Sequence, residues 1–323
     1  MLHLKTSTFA LLLPLFLSAI FAENSNLIGC NKVGCPTVNA NHRCKIEDIT
    51  HIGVGVAPIP NVPSALEGFS LVKGVNATLS GNDERGRAFN SLYYLATPED
   101  KETNGLTGCA VIFNDPPFKK FEYPMKEGKI GDIIVNMTDS RAATGVCSDV
   151  VEQGCIDSIT QRAADLKYDA NKNACEILER ELKKDSFDRC AGFGGQGHSL
   201  GQFTVKSLGD LNAVRNSSDC WPVQRKSDRL MKITEVTSYG NNTDTYDAYT
   251  EQAYKISPVL TVFVGGDDSL VDHTSSQMTC LKVVTAEEGI DDPNRSGNLA
   301  ATLQRSGLVV ASIAALVGIY IVL

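Results

Sequence analysis

Residues 69–79 read FSLVKGVNATL and residues 89–97 read FNSLYYLAT, with GNDERG at 81–86 between them. Two runs of β-branched and aromatic residues, parted by a cluster of Gly, Asn and Asp, carry the pattern of strands joined by a turn. The same texture extends both ways. HIGVGVAPI (51–59) precedes these runs, GCAVIFN (108–114) and DIIVNMT (132–138) follow, and the gaps hold Pro58, Pro60 and Pro63, then PEDKETNG, then NDPP. Residues 23–140 are therefore expected to form a Cys-rich start, with a stapled loop region running from Cys30 to Cys44, and a β-rich region of five or more strands. Alternation along the runs is imperfect, which leaves both a sandwich and a sheet covered by later helices open.

The pattern changes after Ser140. Proline is absent from 146 to 190, and apolar residues recur at helical spacing: Ile156, Ile159, Ala163 and Leu166, then Ala174, Ile177, Leu178 and Leu182. Residues 141–200 are expected to hold a central pair of amphipathic helices and a Gly-rich connector, GFGGQGHSLG at 192–201. Strand signals resume with QFTVKSL, LMKITEVTSY, VLTVFVGG and TCLKVVT, so 201–285 reads as a second β-rich region forming one ectodomain with 23–200. The expected class is α+β, stapled by disulfides.

Both ends read as addresses. Lys5 precedes an apolar run over 9–21 that contains Pro14, and Ala22 supplies a small residue before Glu23, a signal-peptide pattern for residues 1–22. Residues 307–323, GLVVASIAALVGIYIVL, carry no charge; a mostly polar spacer, LAATLQRS, separates them from the small residues Ser296, Gly297 and Asn298. That arrangement is expected of a glycosylphosphatidylinositol (GPI) signal, with residues 297–323 as the removed propeptide, Ser296 as the lipidated residue (Asn298 the second choice) and 286–296 as a short stalk. The competing reading is a retained membrane helix, but the run is short for one and lacks a flanking Lys/Arg cluster.

Thirty basic and 38 acidic residues give a net charge of −8. Removing both ends takes away only Lys5 and Arg305 and leaves about −10. An acidic surface of this kind excludes a nucleic-acid partner, which needs basic side chains against phosphate. All ten cysteines, Cys30, Cys35, Cys44, Cys109, Cys147, Cys155, Cys175, Cys190, Cys220 and Cys280, fall between the two expected cleavage points. An even number on a secretory route implies up to five disulfides. Proximity suggests Cys147 with Cys155, Cys175 with Cys190 and Cys220 with Cys280, leaving Cys30, Cys35, Cys44 and Cys109 to pair among themselves. An α-helix carrying both Cys147 and Cys155 would hold them about 12 Å apart, too far to bond, so proximity alone does not decide. Sequons at Asn76, Asn136, Asn216, Asn241 and Asn294 are expected glycan sites on exposed backbone.

A search for chemistry yields little. No CxxC or HExxH spacing favours a metal, and no GxSxG elbow or EF-hand loop occurs. The acids that a glycoside hydrolase would need, Asp83 and Glu84, Asp115, Asp267 and Asp268, all sit in turn sequences. His198 lies in the Gly-rich stretch, which matches neither a dinucleotide fingerprint nor a P-loop. Trp221 with Tyr239, Tyr246, Tyr249 and Tyr254 are the aromatics available to a carbohydrate platform. No catalytic residue, metal or cofactor is assigned.

SLYYLATP (91–98) followed by GCAVIF (108–113), then Cys220-Trp221-Pro222, SPVLTVF (257–263) and Thr279-Cys280-Leu281, resemble blocks of secreted, GPI-anchored, cysteine-rich surface proteins of filamentous ascomycete fungi, a group without an assigned activity. The resemblance implies a cell-surface or cell-wall setting with disulfides and glycans. The expected function is a non-enzymatic surface glycoprotein acting in wall organisation, adhesion or host contact. A surface-tethered hydrolase of wall polysaccharide and a binding module for carbohydrate or a small ligand are the alternatives. The membrane, through the anchor, and wall polysaccharide are the expected partners.

Overall fold

The computed structural model describes residues 27–30, 32–35, 44–78, 86–114, 121–130, 132–168, 172–184, 186–194, 197–215, 220–240 and 248–285. The expected signal peptide, stalk and GPI signal lie outside them, as do Ser296, Asn298, Asn216, Asn241, Asn294, Asp83, Glu84, Asp115 and Tyr246. Thirteen strands are described: β1 Cys44–Ile46, β2 Ile49–His51, β3 Gly53–Pro58, β4 Ser70–Ala77, β5 Arg87–Thr97, β6 Gly108–Phe113, β7 Met125–Ile130, β8 Ile133–Thr138, β9 Phe203–Ser207, β10 Asn212–Ala213, β11 Arg229–Gly240, β12 Ser257–Phe263 and β13 Ser275–Leu281. Three α-helices stand between them: α1 Cys147–Val150, α2 Gln153–Ala164 and α3 Ala174–Leu182. The fold is α+β and mostly sheet.

Every strand pairing is antiparallel, and two sheets carry the core. The first has the order β10-β11-β5-β4-β3 and the second β13-β12-β6-β9. Each draws strands from both halves of the chain. Strand alternation explains how they stack. Ala57, Leu71, Tyr93 and Leu95 of the first sheet meet Ala110, Ile112, Val259, Phe263 and Leu281 of the second in one apolar cluster. The opposite side chains are apolar too. Val54, Val56, Val72, Leu92, Tyr94 and Ala96 pack under a cap that includes Cys30, Cys35, Cys44 and Trp221, whereas Cys109, Val111, Phe113, Leu260 and Val262 pack under the helices. Four layers result: cap, sheet, sheet and helices.

The helices follow their sequence pattern. Cys155, Ile156, Ile159 and Ala163 form the buried stripe of α2, and Leu178 and Leu182 that of α3, whose first turn is capped by the Asn173 side chain accepting from the Cys175 N–H. Among the described residues no helix is long and apolar enough to cross a membrane.

The segment after β13 closes one corner of the sandwich. Val284 donates its N–H to the Val54 carbonyl at 3.1 Å, which brings the end of the second sheet onto the edge of the first. Gly55 permits this approach: a Cβ there would lie 1.7 Å from the Lys282 carbonyl oxygen. The strand read from DIIVNMT joins neither sheet. It forms β8, which pairs only with β7 in a two-stranded hairpin.

The ten cysteines form five disulfides: Cys30–Cys44, Cys35–Cys220, Cys109–Cys175, Cys147–Cys280 and Cys155–Cys190. Pairing by proximity therefore fails for Cys147, Cys175 and Cys220; of the four N-terminal cysteines only Cys30 and Cys44 pair with each other. The reason is that Cys147 and Cys155 belong to different helices. Cys147 on α1 faces β13, and Cys155 on α2 faces the short turn Asp188–Cys190. Two bridges fasten the cap and three fasten the helical layer, and this density of bridges points to an oxidising, secreted or extracellular environment. The closed loops span 14 to 185 residues, for which chain entropy alone gives roughly 3 to 5 kcal/mol apiece.

Non-reducing peptide mapping is expected to recover these five pairs; recovery of a Cys147–Cys155 or Cys175–Cys190 peptide would contradict the layer arrangement. Replacing Cys147 and Cys280 together by Ser should cost about 2–5 kcal/mol in denaturant unfolding.

Candidate functional site

The most chemically loaded cluster in the described residues lies between the sheets. Lys73 interrupts the apolar run of β4, and its register places it opposite Tyr93, on the same inward face as Leu71 and Leu95. It is fully buried. Its Nζ donates to Ser257 Oγ at 2.9 Å and to the Lys255 carbonyl at 3.3 Å, so both bonds go to the chain entering β12. Burial holds the Lys73 ammonium well below its ordinary pKa, and the nearby charges of Lys255 and Lys282 add to the effect. Tyr93 is pushed up to about 12 by burial, against the pull of hydrogen bonds with Ser257 and Ser91.

Lys282 is the second buried amine. Its Nζ donates to the Ala142 carbonyl and stands 5.5 Å from the centre of the Tyr123 ring, whose hydroxyl donates to the Tyr254 carbonyl at 3.0 Å. Burial lowers its pKa to about 7, although Asp139 draws it upward. A buried amine whose charge is disfavoured, beside a serine hydroxyl, is an arrangement that can activate a nucleophile. Here Lys73, Ser257 and Tyr93 are all sealed by the two sheets. In this state the cluster ties β4 and β5 to β12 through polar bonds in a low-dielectric core.

His51, on β2, is a third buried titratable group. Neither ring nitrogen has a hydrogen-bond partner, and the ring stands edge-on to Tyr94 with centroids 6.5 Å apart. Burial, aided by the charge of Lys232, lowers its pKa to about 4. Gly74 makes room for it, since a Cβ there would come within 2.8 Å of His51 Nδ1. A surface groove of about 380 Å³ opens on the same side, lined by Asp48, Thr50, Asn76, Asn90 and Glu235. Asn76, the first sequon, donates from Nδ2 to the Thr50 carbonyl at 2.7 Å. Asn136 stands exposed on β8.

The other residues named from sequence are scattered. Asp267 and Asp268 occupy an exposed turn. His198 lies 4.0 Å from Asp188, and its carbonyl accepts from the Phe187 N–H. The Gly-rich stretch is bound into the helical layer by buried Phe193 and Leu200; a Cβ on Gly194 would meet Gly201 N at 2.2 Å, so close backbone packing accounts for the glycine there. Trp221 is buried in the cap with Nε1 donating to the Asp228 carbonyl at 2.9 Å. Tyr249 packs edge-on against Phe89, and Tyr254 is buried beside it, so these aromatics serve packing. The sulfurs of Cys35, Cys44 and Cys220 lie within 4.8 Å of one another, but each is already committed to a disulfide.

Sequence reading missed Lys73, Ser257, Lys282 and His51. A usable signal existed for the lysines, each a single cation within an apolar strand run. Comparison with protein-family models, characterised proteins and solved structures returns no match, so the residues are read from their own geometry.

The buried amines and imidazole set a pH dependence. In the unfolded chain Lys282 titrates near 10.5 and in the folded one near 7, so between those values the unfolded state binds the extra proton and stability rises with pH. His51 gives the corresponding loss on acidification, from 6.5 towards 4. Thermal melts should show Lys282→Met flattening the Tm rise between pH 7 and 10, and His51→Leu reducing the Tm loss between pH 6.5 and 4. Unchanged slopes in both variants would contradict these assignments.

Proposed function

We propose that this chain is an extracellular, glycosylated surface protein, attached through a GPI anchor, whose sandwich serves as a structural or recognition module with no reaction of its own. The observation that supports it is the disulfide set: all ten cysteines are paired, and each covering layer carries at least one bridge. Such bracing suits a domain that persists outside the cell, where no chaperone repairs it. The exposed Asn136 is consistent with a glycan-bearing surface. The buried lysine–serine–tyrosine cluster has a structural task already, holding the two sheets together. The sequence resemblance to GPI-anchored, cysteine-rich surface proteins of filamentous fungi is the ground for reading its role as wall organisation, adhesion or host contact.

Phosphatidylinositol-specific phospholipase C should release the protein from cells that express the full chain, and glycosidase treatment should lower its mass, by one glycan less in Asn136→Gln. Retention on the membrane with residues 307–323 intact would overturn the anchor. Measurable turnover of any wall polysaccharide by the released protein would overturn the non-enzymatic reading.

A further inference from the structure

The large apolar side chains that stand exposed among the described residues are three, Met125 at 52%, Ile133 at 67% and Ile134 at 62%, and all belong to the β7–β8 hairpin. Elsewhere the fold covers such groups with a second sheet, the helices or the cap. This hairpin pairs with no other described strand. Ile133 and Ile134 follow directly on the turn that joins the strands, at the opposite end of the hairpin from its foot, where Met125 pairs with Thr138. Two adjacent exposed isoleucines at the turn end of a hairpin mark a place where something docks.

The position of the foot identifies what docks. Asp139 closes it by donating its N–H to the Pro124 carbonyl at 2.8 Å, and two residues on, the Arg141 carbonyl accepts from the N–H of Thr285 at 3.1 Å. Thr285 is the last described residue before the stretch leading to the anchor. The chain bound for the membrane thus leaves the domain beside the hairpin. Residues 286–296 can span at most roughly 40 Å when fully extended, and six-residue strands project roughly 20 Å. The hairpin tip is therefore within reach of the bilayer that holds the anchor.

We infer that the tip of the β7–β8 hairpin dips into the outer leaflet, with Ile133 and Ile134 among the acyl chains, and so fixes the height and tilt of the ectodomain on its own membrane. The occupant of the apolar patch is lipid. This rests on the membrane attachment proposed above. The chain's net charge is −8, and Lys126, Glu127, Lys129 and Asp132 of the hairpin sum to zero, so nothing draws it to anionic lipid and the contact is insensitive to salt. Ile134 and Asn136 share one face of β8 by alternation, and Ile133 and Val135 the other. A glycan on Asn136 would sit two residue pairs, roughly 7 Å, closer to the foot than Ile134, at headgroup level, with the tip left free.

The test uses the full chain, purified from expressing cells and reconstituted into phosphatidylcholine vesicles with or without brominated acyl chains. Ile134→Trp adds one fluorophore, while Trp221 stays buried in the cap. Bromolipid should quench at least half of the added emission, and 1 M salt should leave the quenching unchanged. Added emission that is blue-shifted but unquenched would show that the hairpin packs on protein, such as a second copy, and would overturn the proposal, as would emission typical of an indole in water. As a second measurement, protein released by phospholipase should bind phosphatidylcholine vesicles at least tenfold better than the Ile133→Asp, Ile134→Asp variant, and equal binding would count against the hairpin. The anchor is judged separately: a chain that phospholipase does not shed fails the anchor reading, yet its tryptophan still reports on the hairpin.

Discussion

Apolar side chains on both faces of both sheets are the constraint from which the architecture follows. On β5, Tyr93 and Leu95 point inward while Leu92, Tyr94 and Ala96 point outward; on β6, Ala110 and Ile112 oppose Cys109, Val111 and Phe113. One sheet against another satisfies only the inner faces, so each outer face requires a cover of its own. For the first sheet this is a loop-built cap with little regular structure, and for the second it is three short helices. None of these covers would hold as an isolated segment, because short helices and stapled loops are marginal in water. The disulfides fix them where the apolar contacts need them, Cys35–Cys220 across the cap and Cys109–Cys175 and Cys147–Cys280 between helices and sheet.

Against that background the buried cations are costly and specific. A lysine in an apolar core gives up either its charge or its hydration. Lys73 sits on β4 and Lys282 directly after the end of β13, and each is satisfied by partners from another part of the chain: Lys73 by Ser257 and Lys255, Lys282 by Ala142. Apolar side chains alone tolerate sliding of one sheet over another, whereas a directional bond to a single oxygen does not. Gly55, which lets the Lys282 backbone lie against β3, contributes to the same alignment. The polar groups thus set the registration of layers that burial merely drives together.

Much of the fold was legible because it is written locally. The strand runs around 69–97 and the apolar stripes of α2 and α3 depend on periodicity, and they appear where the spacing puts them. The assignment of strands to two sheets was not legible, because β6 pairs with β9 and β12 across long intervening stretches that no local pattern specifies. Disulfide connectivity failed for a related reason: closure entropy grows only with the logarithm of loop length, so proximity in sequence is a weak guide once a fold brings Cys35 to Cys220. DIIVNMT has the composition of an ordinary sheet strand, MKEGKI of β7 carries no such signal, and exposure of Ile133 and Ile134 is a tertiary fact. Of the buried cluster, Lys73 and Lys282 could have been flagged as lone cations in apolar runs, but Ser257 and His51 carry no signal of their own.

Native-state hydrogen exchange on the oxidised protein tests the double covering of the sheets most directly. Amides of β4, β5, β6 and β12, buried on both faces, should exchange slowest, by global unfolding only, and those of the β7–β8 hairpin should exchange orders of magnitude faster. Protection in β5 and β12 no greater than in the hairpin would contradict the account.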